Sequence, residues 1–239
     1  MLLLLTLAAG CMDSVSYLGL GEVFTAMMTG NTVLVGLTMG QGEFLAALRG
    51  VVALSGFSLG VMAGAVIVDR KPRESEWPSS VTWALTTEVC LLVLFVVLWH
   101  YSGGVRTGAL RYGLILISAL AMGIQSAAAR YLGVPGITTT YITGTLTTLM
   151  ATVIHLEMWK KPFRKSGSAA VQEALPGGFE RYSTSHTVSL MAVIFCYGLG
   201  AFCGSVLKGN SSLIVESGLP TLVVALVAVN AALRHSFQS

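Results

Sequence analysis

The sequence predicts an all-α, polytopic transmembrane helix bundle made of two homologous halves, and three observations carry that reading. Of 239 residues, 54% are hydrophobic and only 10% charged, where a soluble domain carries about 25% charged residues. The apolar residues fall in blocks of roughly 17 to 22, the length that crosses about 30 Å of hydrocarbon at 1.5 Å per helical residue. The chain also repeats itself in three blocks of the same order.

Taken in order, the apolar blocks are 1–19, 23–40, 50–68, 81–99, 110–129, 137–156, 187–207 and 219–233. The first superficially resembles a lipoprotein signal, LTLAAGC ending at Cys11, but no Lys or Arg precedes it and it has a counterpart in the second half. It is therefore read as a helix. The second and sixth blocks, VFTAMMTGNTVLVGLTMG and ITTTYITGTLTTLMATVIHL, are rich in Gly and Thr. Each is either a full span or a broken, re-entrant element buried among the others. Hydropathy allows six, seven or eight crossings. The chain is read as one integral membrane domain, 1–239, with repeat units 1–100 and 110–235.

The longest polar connection, 157–186, holds Lys160, Lys161, Arg164, Lys165 and Arg181, and the positive-inside rule places it in the cytoplasm. With eight crossings the Lys and Arg residues divide nine inside and five outside; with re-entrant second and sixth segments they divide ten and four. The expected location is integral to a membrane, with the bilayer as the main partner. The formal charge of +3 is spread over short loops, which argues against nucleic acid.

The repeat aligns YLGLGEVFTAMMTGN from Tyr17 with YLGVPGITTTYITGT from Tyr131 without gaps. Upstream, AAGCMDS at Ala8 faces AMGIQSA at Ala121; downstream, FSLGVMAGAV at Phe57 faces YGLGAFCGSV at Tyr197. Gly56, Gly60 and Gly64, with Gly200 and Gly204, form small-residue ladders of the kind that lets membrane helices approach closely. Thr25, Thr29, Gly30, Asn31 and Thr32, mirrored by Thr139, Thr143, Gly144 and Thr145, offer more polar groups than packing requires. Broken elements at equivalent places in two halves point to a transporter site near the midplane, although threonines also bond back to their own helix.

Asp13 and Glu88 are the acidic residues well inside apolar blocks, costing a few kcal/mol each near the bilayer centre and so candidates for a coupling-ion or proton role. Asp13 lies one turn from Tyr17, and its repeat equivalents are Gln125 and Ser126. The plainer readings are a buried Asp13 carboxyl, neutral or paired with Arg130 or Arg111, that serves helix association, and a Glu88 that snorkels. Cys11, Cys90, Cys196 and Cys203 show neither a disulfide framework nor zinc spacing, and no cofactor or metal is implied. With no nucleophile elbow, P-loop or dinucleotide fingerprint, the chain is not expected to be an enzyme.

The run GCMDSVSYLGLGEVFTAMMTGNTVLVGL, the FSLGVMAG helix and AMGIQSAAARYLGVPGITTTYITGTLTTL together resemble the YoaK-like family of bacterial membrane proteins, a domain family of unknown function. The resemblance spans nearly the whole chain. It maps a Gly-x-x-Asp motif onto Gly10 and Asp13, Thr-Gly-Asn onto Thr29, Gly30 and Asn31, Gly-x-Gln onto Gly123 and Gln125, and Thr-Gly-Thr onto Thr143, Gly144 and Thr145. Ser126 stands where family members often carry Asn. The resemblance implies a fold and a membrane location, and no substrate.

The expected function is a transporter or permease-like protein for an unknown small solute, with its site between the two Thr-Gly elements. That site comprises Asp13, Tyr17, Thr25, Thr29, Gly30, Asn31, Gln125, Ser126, Thr139, Thr143, Gly144 and Thr145. The alternative is a non-transporting scaffold that binds partners or lipid, resting on the glycine ladders and the basic loop 157–186, with homo-oligomers compatible with either.

Overall fold

The computed structural model describes residues 1–69, 77–101, 108–133, 142–160, 184–210 and 213–236. Side chains are described for these except 152–160, 184–186, 208–210, 213–217 and 234–236. Within them the fold is wholly helical: α1 (Leu2–Leu20), α2 (Met28–Gly40), α3 (Phe44–Val68), α4 (Ser79–Tyr101), α5 (Gly108–Leu132), α6 (Ile142–Lys160), α7 (Thr184–Asn210) and α8 (Leu213–Ser236). Among the described residues, α1, α3, α4, α5 and Thr187–Leu207 of α7 are long and apolar enough to cross a membrane. Many large apolar side chains on these helices face outward, among them Leu59, Met62, Trp83, Phe195 and Phe202. That is the surface expected where lipid, which is as apolar as leucine, is the solvent.

Contacts between helix ends give each helix its direction. The Arg49 Nε, near the start of α3, donates to the Gly21 carbonyl at the end of α1, 2.9 Å away, so α3 departs from the end of the bundle where α1 finishes. A Cβ at Gly19 would meet the ring of Trp99, which brings the end of α4 to that same Gly21 end. Gln125, late in α5, donates from Nε2 to the Leu5 carbonyl at 3.1 Å, so α5 returns to the Met1 end. Gly200 sits against Leu7 and Gly204 against Cys11, which makes α7 parallel to α1. Helix α8 follows α7 after two residues and departs from the Gly21 end.

Helix α2 is the exception to this alternation. It has 13 residues, or about 20 Å, too short for a hydrocarbon core of about 30 Å. Segment 21–27 ahead of it is not helical. Gly21 closes α1 in the left-handed conformation at φ 96°, and Glu22 follows at φ 60°, a geometry that costs a non-glycine residue about 1–2 kcal/mol. This double left-handed step reverses the chain, and α2 then leads back to the end from which α3 departs. In the second half, α5 finishes and α7 starts at the Met1 end, so the stretch of chain that carries α6 leaves from and returns to that one end. Helix α6 packs on α7 through Leu149, Leu190 and Val193.

The most extensive helix pairs are α3 with α5 and α1 with α7, so each half lends its third helix to the first helix of the other. Both crossings are built on glycine. A Cβ at Gly60 would strike the Leu120 carbonyl, and one at Gly200 the Leu7 carbonyl; Gly123 abuts Phe57, and Gly10 abuts Tyr197. Gly64 meets Ile124 at 3.0 Å as Gly204 meets the Cys11 carbonyl at 2.9 Å. Every one of these contacts maps onto its partner by the shifts that align the sequence blocks. Gly56, with Leu116 O at 2.9 Å, extends the α3 face by one turn.

Candidate functional site

Asp13 lies on α1, seven residues before its last, and is 3% exposed. Its Oδ1 accepts the backbone N–H groups of Thr25 at 2.8 Å and Ala26 at 2.6 Å. The O–H of Tyr197, from α7, donates to its Oδ2. Ser16, one turn on, shares a hydrogen bond with the Thr25 hydroxyl at 3.2 Å. A carboxylate at the head of a helix is favoured by the unsatisfied N–H groups there and by the helix dipole. Asp13 occupies that position for α2 although it belongs to α1, and it draws segment 21–27 back to the middle of the bundle.

Asn31, wholly buried on the first turn of α2, completes the arrangement. Its Oδ1 accepts the Phe24 N–H at 2.9 Å, and its Nδ2 donates to the Phe24 carbonyl at 2.7 Å. The side-chain amide thus pairs with the non-helical backbone as a neighbouring strand would. Tyr17 stacks on Phe24 with ring centroids 4.9 Å apart, and Gly30 leaves room for Phe24 and Met27, whose atoms lie 3.1 Å and 2.7 Å from where a Cβ would be. Replacing Asn31 with alanine strands the Phe24 N–H and C=O, at about 1–3 kcal/mol for an unmet buried group. The expected result is an earlier thermal midpoint in detergent for Asn31→Ala and an unchanged one for Thr29→Val, because the Thr29 side chain is exposed on the outer face of α2.

Of the residues expected to line one site, the structure joins Asp13, Tyr17, Thr25, Gly30 and Asn31 around segment 21–27. Thr29 faces outward. In the second half, Thr145 is buried at the position equivalent to Asn31, Thr143 is exposed, and Gly144 is half-buried. The Thr143 and Gly144 carbonyls accept from Thr147 and Thr148 one turn on, so these hydroxyls largely serve their own helix. Thr139 and the loop 157–186 (beyond its α6 and α7 ends) lie outside the described residues, and Ser126 is half-buried. Helix α2 packs on α3 and α6 on α7, and among the described residues α2 and α6 do not touch. A small groove opens instead between α2 and α3 at the Gly21 end, lined in part by Asn31, Thr38, Arg49 and Gly50.

Two expectations need correction. Asp13 is held by backbone amides and Tyr197 rather than by Arg130 or Arg111, because the reversal at Gly21 supplies N–H donors closer than any arginine. Glu88 does not snorkel: it sits mid-helix on α4 at 0% exposure. Sequence reasoning also missed Tyr197. The signal was available in the repeat, where Tyr197 aligns with Phe57 just as Asp13 aligns with Gln125 and Ser126. The two helix crossings are equivalent, and only one of them carries the acid and the hydroxyl together.

These features define a multi-pass α-helical integral membrane protein in which a buried carboxylate, Asp13, holds a non-helical segment. The chain belongs to the family described as a protein of unknown function (DUF1275), whose model matches residues 1–232. It is similar to the UPF0700 transmembrane protein YoaK of Bacillus subtilis (strain 168), with 40% identity over 161 residues covering 67% of this chain and 69% of that protein. No solved structure matches.

Proposed function

We propose that the protein is a small-solute transporter or permease whose working site is centred on Asp13, segment 21–27 and the head of α2. One observation carries the reading: a buried carboxylate in the middle of the bundle holds an unwound segment at the start of a half-length helix and is closed from the other half by Tyr197. Broken helices with an N-terminal end near the midplane, set in halves of opposite direction, are the architecture in which transporter sites are found. On this reading α2 enters and leaves from one side of the membrane and α6 from the other, and the repeat is inverted. The ten-to-four division of Lys and Arg then puts the Met1 end, with loop 157–186, in the cytoplasm of a bacterial plasma membrane.

The topology is tested by labelling single cysteines with a membrane-impermeant reagent. Glu22→Cys and Gln41→Cys are expected to label from one side and Asp69→Cys from the other; labelling of Glu22 and Gln41 from opposite sides would overturn the re-entrant reading. Function is tested in proteoliposomes enclosing a pH-sensitive dye, challenged with a panel of small organic anions, cations and neutral solutes. A solute-dependent signal in the native protein that disappears in Asp13→Asn and in Tyr197→Phe, and survives in Thr29→Val, is the expected outcome. Undiminished signals in both site variants would refute the assignment. A scaffold reading has less to rest on, since the glycine faces it would use are consumed inside the chain.

A further inference from the structure

Glu88 is the most isolated polar group in the described fold. It is 0% exposed, and neither carboxyl oxygen has a hydrogen-bond partner. On α5, Gln125 is also 0% exposed; its Nε2 is committed to the Leu5 carbonyl, while its Oε1 has no partner. Helix α4 packs along α5, and the contacts of both with α1 bring these two side chains to within about one turn of each other along the bundle. Trp99 meets Gly19, so Glu88, three turns earlier on α4, stands near the level of Ala8. Gln125 meets Leu5, about one turn away at 5.4 Å per turn. The other unpartnered oxygens, Ser80 Oγ and Thr187 Oγ1, sit on the first turns of α4 and α7.

Three buried oxygens without a donor among the described residues, within about one turn of each other, cannot be left so, because an unpaired buried polar group costs about 1–3 kcal/mol and a bare charge far more. We propose that Glu88 and Gln125 form a proton-binding site, in which Glu88 is carried as the neutral acid and donates its O–H to Gln125 Oε1. One proton then meets two of the three unmet oxygens and removes the buried charge. The charged and titratable side chains described on the helices packed against α4 are Arg111, Tyr112, Arg130 and Tyr131 near the ends of α5, and Arg49 at the Gly21 end of α3. On α1, Asp13 is already engaged with Thr25, Ala26 and Tyr197, and Cys11 lies against Gly204 of α7. No described cation of these helices donates to either Glu88 oxygen. The inference does not depend on the transporter reading, since it concerns the resting protonation of the core.

Infrared spectroscopy of the purified full-length protein in lipid reads this directly, through the carbonyl stretch of a protonated carboxyl group and its shift on exchange into heavy water. At neutral pH the native protein and Asp13→Asn are expected to share one such band, and Glu88→Gln, the isosteric mimic of the neutral acid, to lose it. In Gln125→Leu the band is expected to persist and move to higher frequency, because the O–H has lost its acceptor; this second variant serves if Glu88→Gln does not fold. A spectrum in which Glu88→Gln retains the native band, or in which Gln125→Leu leaves its frequency unchanged, overturns the site. So does removal of the native band by added sodium or potassium at constant pH, which would make the ligand a metal cation.

Discussion

Asp13→Ala is expected to be the most destabilising single change at the candidate site. It strands the N–H groups of Thr25 and Ala26 in the middle of the bundle and leaves the Tyr197 hydroxyl without its acceptor. Each unmet buried group costs about 1–3 kcal/mol, and bonds to a charged acceptor stand at the upper end of that range. The loss falls on a segment already strained at Glu22, so segment 21–27 should detach before the long helices separate. Two measurements check this. The thermal midpoint followed by helix content in detergent should fall most for Asp13→Ala, less for Asp13→Asn, which keeps one acceptor oxygen, and least for Tyr197→Phe. A cysteine placed at Thr25 should be unreactive in the native background and reactive with Asp13→Ala; equal reactivity in both would show that the carboxylate does not hold the segment.

Gly60→Leu should be more severe still, acting on the whole fold rather than on one segment. The Cβ alone would overlap the Leu120 carbonyl, and backbone cannot step aside as a side-chain tip can, so α3 and α5 must separate along their most extensive contact. Overpacking a yielding core site costs about 1–3 kcal/mol; with backbone on both sides, no monodisperse folded protein is expected after extraction. Gly200→Leu should behave alike, because its crossing with Leu7 is the same contact in the other half. Gly36→Leu is the control, since nothing lies within 4 Å of its Cβ position. Were Gly60→Leu to purify with a native thermal midpoint and change only the oligomeric state, the glycine face would lie between chains rather than within one.

Both results follow from an arrangement that is only half visible along the chain. The glycine spacing of α3 and α7 identified faces for close approach, yet spacing cannot name the partner. Gly60 could have met a helix of its own half, the other half or a second copy, and folding selected α5 because Gly123 and Ala119 present a matching flat face. Asp13 was legible as an expensive group needing partners. What it binds was not legible, because the donors are main-chain N–H groups of residues twelve and thirteen positions on, and backbone donors have no sequence signature. Tyr197 is separated from Asp13 by most of the chain, and only its tyrosine-for-phenylalanine difference from Phe57 in the repeat marked it.

The sequence by itself determined that lipid is the main solvent, where the apolar segments lie and that two halves are related, since each depends on local transfer energies and on residue identity. Only the tertiary structure decided that the third helix of each half packs on the first helix of the other, and that α2 leads back to the end where α1 finishes. Hydropathy is blind to both, because it reads the polarity of a segment and not where the chain turns. Here a left-handed turn at Gly21 and Glu22 and the carboxylate of Asp13 fix that point.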